Sequence, residues 1–298
     1  MFEPRGIVIP VITPVDENER FNSDTYRKLI RFWRENGVHG IFPFGTTGEF
    51  YGFSDDEYQE MLDVSVEEAG GMHVYAGTNH ITPKGVIRLA RMAEKAGVDA
   101  LSVLTPMFVS QTQNEIYEFY KYIAEHTPLP IVVYNNRPKT NVQVQPDTIA
   151  RLAEIPNIVA VKDSTGDMTN TEEYIRLTRG MKDFSVLMGR DTLIYAALCY
   201  GAKGAIASCA NVAPGIAVEI YDKFIKGDHR GALEAQFKFA ALRVSTSMGS
   251  FPVVIKEAMK MLGMDVGDCI APIKPLNEIE REKLGRVLKE IGLAAVAG

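Results

Sequence analysis

Eight short apolar segments recur along the 298-residue chain, and the segments between them show helical periodicity. Each apolar segment is nearly continuous, which is typical of parallel strands covered on both faces. The predicted strands are GIVIPVITP (6–14), GIFPFG (40–45), MHVYAGT (72–78), ALSVLTP (100–106), IVVYNN (131–136), IVAVKDS (158–164), FSVLMG (184–189) and GAIASCA (204–210). Eight strands alternating with helices over roughly 225 residues predict an α/β fold, a (β/α)8 barrel.

A doubly wound open sheet is the competing architecture. Such a sheet normally carries a glycine-rich dinucleotide-binding turn after its first strand. The corresponding turn here, TPVDENERFN, contains no glycine. The sequence therefore favours the barrel.

The first segment between strands, SDTYRKLIRFWREN, illustrates the predicted helices. Its apolar side chains from Tyr26 to Trp33 recur at steps of three and four residues, so one face of the helix is expected to pack on the barrel. Ser23 or Asp24 is expected to cap its N-terminus.

After Asn211 the alternation ends. Four further helices are predicted over 213–226, 229–248, 252–263 and 276–292. The first of them can close the barrel. We therefore expect a barrel with the active site over 1–226 and a C-terminal helical extension packed on it over 227–298.

Charge and composition restrict the partners of the protein. The formal net charge of -6 argues against nucleic acid, which binds basic surfaces, and nothing favours an anionic membrane surface. The three cysteines and five histidines show no metal-like spacing, so we expect neither a metal nor another cofactor. We also expect no secretory leader in MFEPRGIVIPVITPV and no bilayer-spanning segment, and hence a cytoplasmic protein.

The working residues of such barrels lie at the C-terminal ends of the strands. Directly after the second strand comes GTTGE (45–49). Two glycines around two threonines give a tight turn whose N–H groups and hydroxyls could hold a small anion such as a carboxylate. The alternative is a plain turn from strand to helix.

Two further strand ends carry reactive side chains. Tyr134 ends the fifth strand; its phenol could face the barrel mouth, or it could be a half-buried core residue. Lys162 ends the sixth strand. Burial would lower the basicity of its amine and make it a nucleophile towards a ketone or aldehyde; alternatively, it could extend to solvent or pair with Asp163.

Taken together, GTTGE, the YN that ends strand five and the lysine that ends strand six resemble the dihydrodipicolinate synthase / N-acetylneuraminate lyase family of class I aldolase-like lyases. The resemblance extends from about Gly6 to the C-terminal helices. It implies that Lys162 forms a Schiff base with pyruvate or another 2-keto acid and that Tyr134 transfers protons. It also implies an aldehyde as the second small-molecule partner and a homo-oligomer, a dimer or tetramer.

The same resemblance assigns further residues to the site. Thr46, a catalytic candidate, would hold the pyruvate carboxylate together with Thr47 and Gly48. Gly189 and Ile206 would line the same pocket. Lys139 and Arg137, with His80 and Ser110, are expected near the second substrate.

Two positions depart from dihydrodipicolinate synthase itself. The second tyrosine of its pair after strand four, which reaches the neighbouring subunit's site, is replaced here by Phe108, and phenylalanine cannot relay a proton. Its arginine after strand five, which binds the carboxylate of aspartate semialdehyde, falls on Lys139, with Arg137 two residues earlier. Lysine keeps the charge but lacks the bidentate fork of arginine.

The sequence KDS at Lys162 looks more like the aldolases and dehydratases of 2-keto-3-deoxy sugar acids. We therefore expect a lyase of the sugar-acid aldolase type, with 4-hydroxy-tetrahydrodipicolinate synthase, which condenses pyruvate with aspartate semialdehyde, as the alternative. A non-catalytic 2-keto-acid-binding barrel is the alternative from another class, although a buried amine has no use in a pure binder. A phosphate-handling barrel isomerase is only weakly suggested by MGRDT and ASCANVAPG.

Overall fold

A computed structural model describes residues 2–181 and 183–293. Eight parallel strands form a closed barrel in which each strand pairs with the next and the eighth pairs with the first. The strands are β1 (Gly6–Pro10), β2 (Gly40–Phe42), β3 (His73–Gly77), β4 (Ala100–Leu104), β5 (Ile131–Asn135), β6 (Ile158–Asp163), β7 (Ser185–Met188) and β8 (Gly204–Ile206). The closed barrel confirms the (β/α)8 prediction and excludes the open sheet.

The strands are shorter than the apolar segments that predicted them. In GIFPFG, for example, β2 ends at Phe42. Pro43 has no N–H for continued pairing, and Phe44 adopts a positive φ of 56°. The remaining apolar residues of these segments belong to buried loops beyond the strand ends.

Twelve α-helices lie within the described ranges. They are α1 (Ser23–Glu35), α2 (Asp55–Glu68), α3 (Pro83–Ala96), α4 (Gln113–Ala124), α5 (Arg137–Thr140), α6 (Pro146–Leu152), α7 (Met168–Thr178), α8 (Ile194–Tyr200), α9 (Pro214–Ile225), α10 (His229–Ser245), α11 (Val253–Met261) and α12 (Glu278–Glu290). None of them is both long and apolar enough to cross a membrane.

Helix α1 packs as its periodicity predicts, since its apolar face from Tyr26 to Trp33 is buried. The predicted cap, Ser23 or Asp24, is wrong. Asn22 caps the helix, and its side chain accepts a hydrogen bond from the N–H of Thr25. The backbone leaves the extended region one residue earlier than expected.

Strand register places two predicted site residues side by side. In the β5–β6 pairing, Tyr134 lies opposite Lys162 and Asn135 lies opposite Asp163. Tyr134 also belongs to the apolar cluster inside the barrel, with Phe42 and Ile206. The register therefore places a phenol next to an amine at the C-terminal end of the barrel.

The C-terminal helices pack on the barrel. Helix α10 contacts α9, α12 and the 3-10 turn Asp191–Leu193 that follows β7. The division into a barrel over 1–226 and an extension over 227–298 stays a prediction, and residues 294–298 lie outside the described part of the chain. The position of α10 matters for the site, because it lies beside a strand end.

Candidate active site

A cavity of about 520 Å³ opens at the C-terminal ends of the strands. Thr46, Thr47, Tyr134, Lys162, Gly189 and Ile206 contribute to its wall, as the sequence predicts. The loop after β5 and the C-terminal extension also contribute residues to the wall. Six predicted site residues thus meet around one cavity.

Lys162 is a buried amine and does not extend to solvent. Its residue is 3 % exposed, and Nζ lies 3.9 Å from the centre of the Tyr134 ring and 5.0 Å from that of Phe42. Burial lowers the pKa of Lys162, while the nearby Tyr134 phenol opposes this shift. A larger fraction of the amine is therefore unprotonated than in a lysine in water.

Asp163 does not serve as the counter-ion of Lys162. Its carboxylate accepts hydrogen bonds from Asn170 Nδ2 at 2.9 Å, from Thr171 Oγ1 at 2.8 Å and from the N–H of Thr165 at 3.0 Å. These bonds join the end of β6 to α7. The pairing of Lys162 with Asp163 that we considered is therefore not observed.

Tyr134 is the centre of a small hydrogen-bond network. Its hydroxyl lies 3.2 Å from Thr46 Oγ1 and accepts a hydrogen bond from Asn136 Nδ2 at 2.8 Å. Burial raises the pKa of the Tyr134 phenol, but Lys162 and the hydrogen bonds from Thr46 and Asn136 outweigh it, so the net pKa is lowered. The network suits a group that gives and takes a proton. The sequence analysis did not identify Asn136.

The GTTGE turn presents two threonines to the cavity. No hydrogen bond within the described ranges takes up the amide of Thr46 or Thr47. Gly48 differs, because its N–H donates to Gly45 O at 3.1 Å and its carbonyl accepts from Thr13 Oγ1 at 2.8 Å. Gly48 does not line the cavity, so it shapes the turn while the threonines face the cavity.

Glu49 connects this turn to the C-terminal extension. Its carboxylate lies 2.8 Å from Lys256 Nζ, and both side chains are fully buried. The other carboxylate oxygen accepts a hydrogen bond from the N–H of Ile270. Glu49 has a left-handed backbone with φ 52°, a conformation that a non-glycine residue adopts at a cost. The ion pair holds the turn in this shape.

Close packing constrains the wall at Gly189. A Cβ there would lie 2.0 Å from Ser164 Oγ and 2.8 Å from Asp163 O. Both distances are shorter than atoms can approach. Only glycine therefore fits at this point of the cavity wall.

The residues expected near the second substrate are only partly brought together. Lys139 lines the cavity, and its ammonium lies 5.8 Å from the centre of the Phe251 ring. Arg137 and Ser110 instead lie on a separate surface cleft, and His80 accepts a hydrogen bond from the N–H of Thr82. Arg137, Ser110 and His80 do not line the cavity, and the helical turn α5 directs Arg137 towards Gln143. Their expected place near the second substrate stays a prediction.

Phe108 also lies apart from this cavity. It is 93 % exposed and has a positive φ of 79°. An apolar ring held outwards by an unfavourable backbone conformation is unusual at a free surface.

The sequence did not predict several of the residues that line the cavity. Arg190 directly follows β7, so the strand-end rule could have found it. Arg243 lies in the last turn of α10, and Ser250 and Phe251 follow this helix; all three come from the extension. No local sequence pattern marks these three residues as part of the site, because only tertiary packing brings the extension to the mouth of the barrel. Within residues 2–181 and 183–293, no group of three or more His, Cys, Asp or Glu side chains could hold a metal ion.

A closed parallel barrel with a buried lysine beside a tyrosine at its C-terminal end defines a class I aldolase-type lyase, in which a lysine amine condenses with a carbonyl carbon. The family model described as the Dihydrodipicolinate synthetase family matches residues 3–291. The chain belongs to this family, whose members are Schiff-base-forming enzymes.

Individual relatives agree with this assignment. The chain is 34% identical to 4-hydroxy-tetrahydrodipicolinate synthase of Methanothrix thermoacetophila, over 96% of this chain and 97% of that one. It superposes on dihydrodipicolinate synthase of Thermotoga maritima with a TM-score of 0.93, 32% identity and coverage of 97% and 98%. Dihydrodipicolinate synthase of Acinetobacter baumannii, solved in complex with pyruvate, superposes with a TM-score of 0.93 and is 32% identical. The match covers 97% of this chain and 99% of that one. These names favour the synthase alternative over the sugar-acid aldolase that we expected first.

Proposed function

We propose that the protein condenses pyruvate with an aldehyde through a Schiff base on Lys162, as a 4-hydroxy-tetrahydrodipicolinate synthase. The observation that carries this proposal is the buried Lys162 amine, held 3.9 Å from the centre of the Tyr134 ring in a cavity large enough for two small substrates. The names of the relatives support the condensing direction.

Pyruvate binding is assigned to the strand-two turn. The amides of Thr46 and Thr47 and the hydroxyl of Thr47 hold the carboxylate, which places the keto carbon towards Lys162 Nζ. A turn with unused N–H groups suits a carboxylate because it presents partial positive charge without a mobile side chain. The ion pair between Glu49 and Lys256 keeps the turn in place.

Imine formation needs a neutral amine and a proton donor. The unprotonated Lys162 amine attacks the keto carbon. The keto oxygen takes one proton from the attacking nitrogen and one from Tyr134 and leaves as water, which gives a protonated imine and the Tyr134 phenolate. The phenolate takes a proton from the methyl carbon and so forms the enamine. The enamine attacks the aldehyde carbon and forms the new carbon–carbon bond, while Tyr134 returns the proton to the aldehyde oxygen and the imine is restored. Hydrolysis of this imine by water then releases the product as a ketone and restores the Lys162 amine.

The Tyr134 network moves these protons. Asn136 donates to the phenol oxygen, which leaves the phenol hydrogen free to point at Thr46 or at the substrate oxygen. Thr46 provides the next position for the proton and lies 3.2 Å away. Such positioned proton transfer contributes about 10²–10⁴ in rate.

A sugar-acid aldolase is the second candidate. It is favoured by Lys139 at the position that resembles the arginine of the synthase, and by Phe108 at the position of the relay tyrosine. It would run the same bond change in reverse and release pyruvate from a 2-keto-3-deoxy sugar acid.

Substrate trials separate the two candidates. Purified protein is given pyruvate with aspartate semialdehyde in one assay and 2-keto-3-deoxygluconate alone in the other. The proposal expects pyruvate to be consumed only when the semialdehyde is present. Pyruvate released from the sugar acid, with no consumption in the first assay, would assign the aldolase instead.

We also propose that the protein forms a homo-oligomer, a dimer or a tetramer, in which another copy covers Phe108. The exposure of this ring supports the proposal. Light scattering on the wild type and on Phe108→Ser tests it: we expect an oligomer for the wild type and a smaller species for the variant. A monomeric wild type would contradict it.

A further inference from the structure

Asn136 occupies a position at which an asparagine side chain normally caps a helix. It directly precedes α5, and asparagine is preferred there because its side-chain oxygen accepts hydrogen bonds from the first N–H groups. The Asn136 side chain makes no such bond within the described part of the chain. Its backbone carbonyl accepts instead from the N–H groups of Lys139 at 2.9 Å and Thr140 at 3.1 Å. The carboxamide is therefore left for another partner.

This partner is the phenol of Tyr134. Asn136 Nδ2 donates to the hydroxyl oxygen of Tyr134 at 2.8 Å, and Asn136, which is 7 % exposed, lines the cavity. The loop holds the amide in place, because Asn136 O also accepts from the buried Thr140 Oγ1 at 3.2 Å. A donor that is fixed before the reaction needs no rearrangement when charge develops on the oxygen that it faces.

The amide affects both protonation states of Tyr134. While the phenol is protonated, the N–H of Asn136 occupies a lone pair, so the phenol hydrogen points elsewhere, towards Thr46 Oγ1 at 3.2 Å or towards a substrate oxygen. Once the proton has left, the same N–H faces a phenolate, and a hydrogen bond to a charged group is stronger than one between neutral groups. Burial raises the pKa of Tyr134, while Lys162 and the hydrogen bonds from Thr46 and Asn136 lower it.

The hydrogen-bond capacity of the phenol oxygen limits what else can join the network. A phenol has one hydrogen to donate and two lone pairs that can accept. Asn136 and Thr46 fill two of these three positions. The third position remains for a substrate oxygen, so a hydroxyl from a neighbouring copy of the chain has no place at the phenol.

Building on the function proposed above, we propose that Asn136 is a positioning residue for Tyr134. Its amide aims the phenol hydrogen at the substrate and holds the phenolate after the proton has left. Tyr134, Thr46 and Asn136 belong to one chain, so each subunit completes its own proton-transfer network.

The test is a double-mutant cycle with Tyr134→Phe. Asn136→Leu keeps the branched shape of the side chain and removes its N–H groups. Borohydride trapping gives the rate of imine formation in the wild type, in each single variant and in the double variant. Asn157→Leu is the matched control, because the Asn157 amide donates to backbone carbonyls before the N-terminal end of β6 and does not line the cavity.

We expect Asn136→Leu to slow imine formation by about tenfold or more, the usual effect of losing one hydrogen bond to a charged group. In the Tyr134→Phe background, the same change should have less than about a twofold effect, because the amide acts through the phenol hydroxyl. Asn157→Leu should lower stability and leave the rate unchanged. Phe108→Ser should trap pyruvate within about twofold of the wild-type rate per chain, because no neighbouring copy supplies a group.

A titration of the phenolate gives a readout that does not depend on turnover. Its ultraviolet absorption is followed against pH in the wild type and in Tyr134→Phe, and the difference reports Tyr134 alone. The same difference is taken in the Asn136→Leu background, where the pKa of Tyr134 should rise by about 1, since tenfold weaker stabilisation corresponds to one pKa unit. The variants leave the cationic side chains of the cavity unchanged: Lys139, Lys162, Arg190 and Arg243.

Asn136→Asp keeps the test valid if Asn136→Leu does not fold. Its side chain has the same size as that of asparagine. Its carboxylate repels the phenolate and should raise the pKa of Tyr134 further. Imine formation should again slow.

Three results would overturn the proposal. One is a loss of the same size with and without the Tyr134 hydroxyl, which indicates a structural role for Asn136. The second is a wild-type trapping rate and an unchanged pKa of Tyr134 in Asn136→Leu. The third is a loss of about tenfold or more in Phe108→Ser, which indicates that another copy completes the site. Failure of the wild type to form the pyruvate adduct is a separate result that contradicts the proposed function; the phenolate titration then decides the role of Asn136.

Discussion

Lys162 Nζ lies 3.9 Å from the centre of the Tyr134 ring, because β5 and β6 pair in a register that sets these two residues opposite each other. Burial disfavours the ammonium, and the electron-rich ring face partly offsets that cost. The two groups therefore depend on each other for their protonation. Changes at either one are expected to alter the chemistry more than the fold.

Tyr134→Phe keeps the ring and removes the hydroxyl. We expect imine formation from pyruvate to slow by about 10² or more, because the network loses its proton donor. Tyr120→Phe is the matched control: its buried hydroxyl donates to Val103 O, away from the cavity, and its loss should cost about 1 kcal/mol of stability and no activity. For each variant, borohydride trapping gives the rate of imine formation, and denaturant unfolding gives the stability. Equal trapping rates in the two variants would remove Tyr134 from the mechanism.

The lowered pKa of Lys162 predicts a pH dependence. Imine formation should rise with pH as the ammonium loses its proton, and level off below 10.5, the ordinary pKa of a lysine. Between the lowered pKa and 10.5, the unfolded chain binds more protons than the folded one, so stability should also rise with pH in this window. Trapping rates from about pH 6 to about pH 10 test the first statement. A rate that still climbs steeply at about pH 10, with no levelling off, would indicate an unperturbed lysine.

The ion pair of Glu49 with Lys256 predicts a large effect on stability. Lys256→Met leaves the buried Glu49 carboxylate without its cation, and we expect a loss of about 3–5 kcal/mol in the free energy of unfolding. The double variant with Glu49→Gln should recover part of this loss. Lys223→Met, which breaks the surface pair with Glu219, should change stability by less than about 1 kcal/mol. Similar losses in the buried and surface variants would contradict the account.

Gly189→Ala tests the packing of the cavity wall. The added methyl meets Ser164 Oγ and Asp163 O, so we expect displacement of the β6 end and at least about a tenfold loss of pyruvate trapping. Gly285→Ala in α12 meets nothing within 4 Å and should stabilise the helix by about 0.5–1 kcal/mol. Normal trapping by Gly189→Ala would show that the wall can move aside.

Local patterns predicted what depends on local sequence. The eight strands, and the meeting of Thr46, Tyr134 and Lys162 at one end of the barrel, follow from apolar runs and from the strand-end rule. The cap of α1 was wrong because Asn22, Ser23 and Asp24 can all cap a helix. The choice among them depends on where the backbone turns, which the loop before the helix decides.

The cavity residues that lie outside the strand ends depend on tertiary packing. Arg243 reaches the cavity only because α10 packs beside the turn after β7, and no motif marks that contact. Arg137 and Lys139 are two residues apart, yet the turn α5 sends only Lys139 to the cavity. Cavity residues from the extension and from the loop after β5 were therefore harder to predict than those at the strand ends.

The most direct measurement is intact mass after incubation with pyruvate and borohydride. It is made on the wild type, on Lys162→Ala and on Lys203→Ala, a control at an exposed lysine outside the cavity. The account predicts one reduced pyruvyl adduct on the wild type and on Lys203→Ala, and none on Lys162→Ala. An adduct that persists on Lys162→Ala, or none on the wild type, would contradict the assignment of Lys162 as the nucleophile.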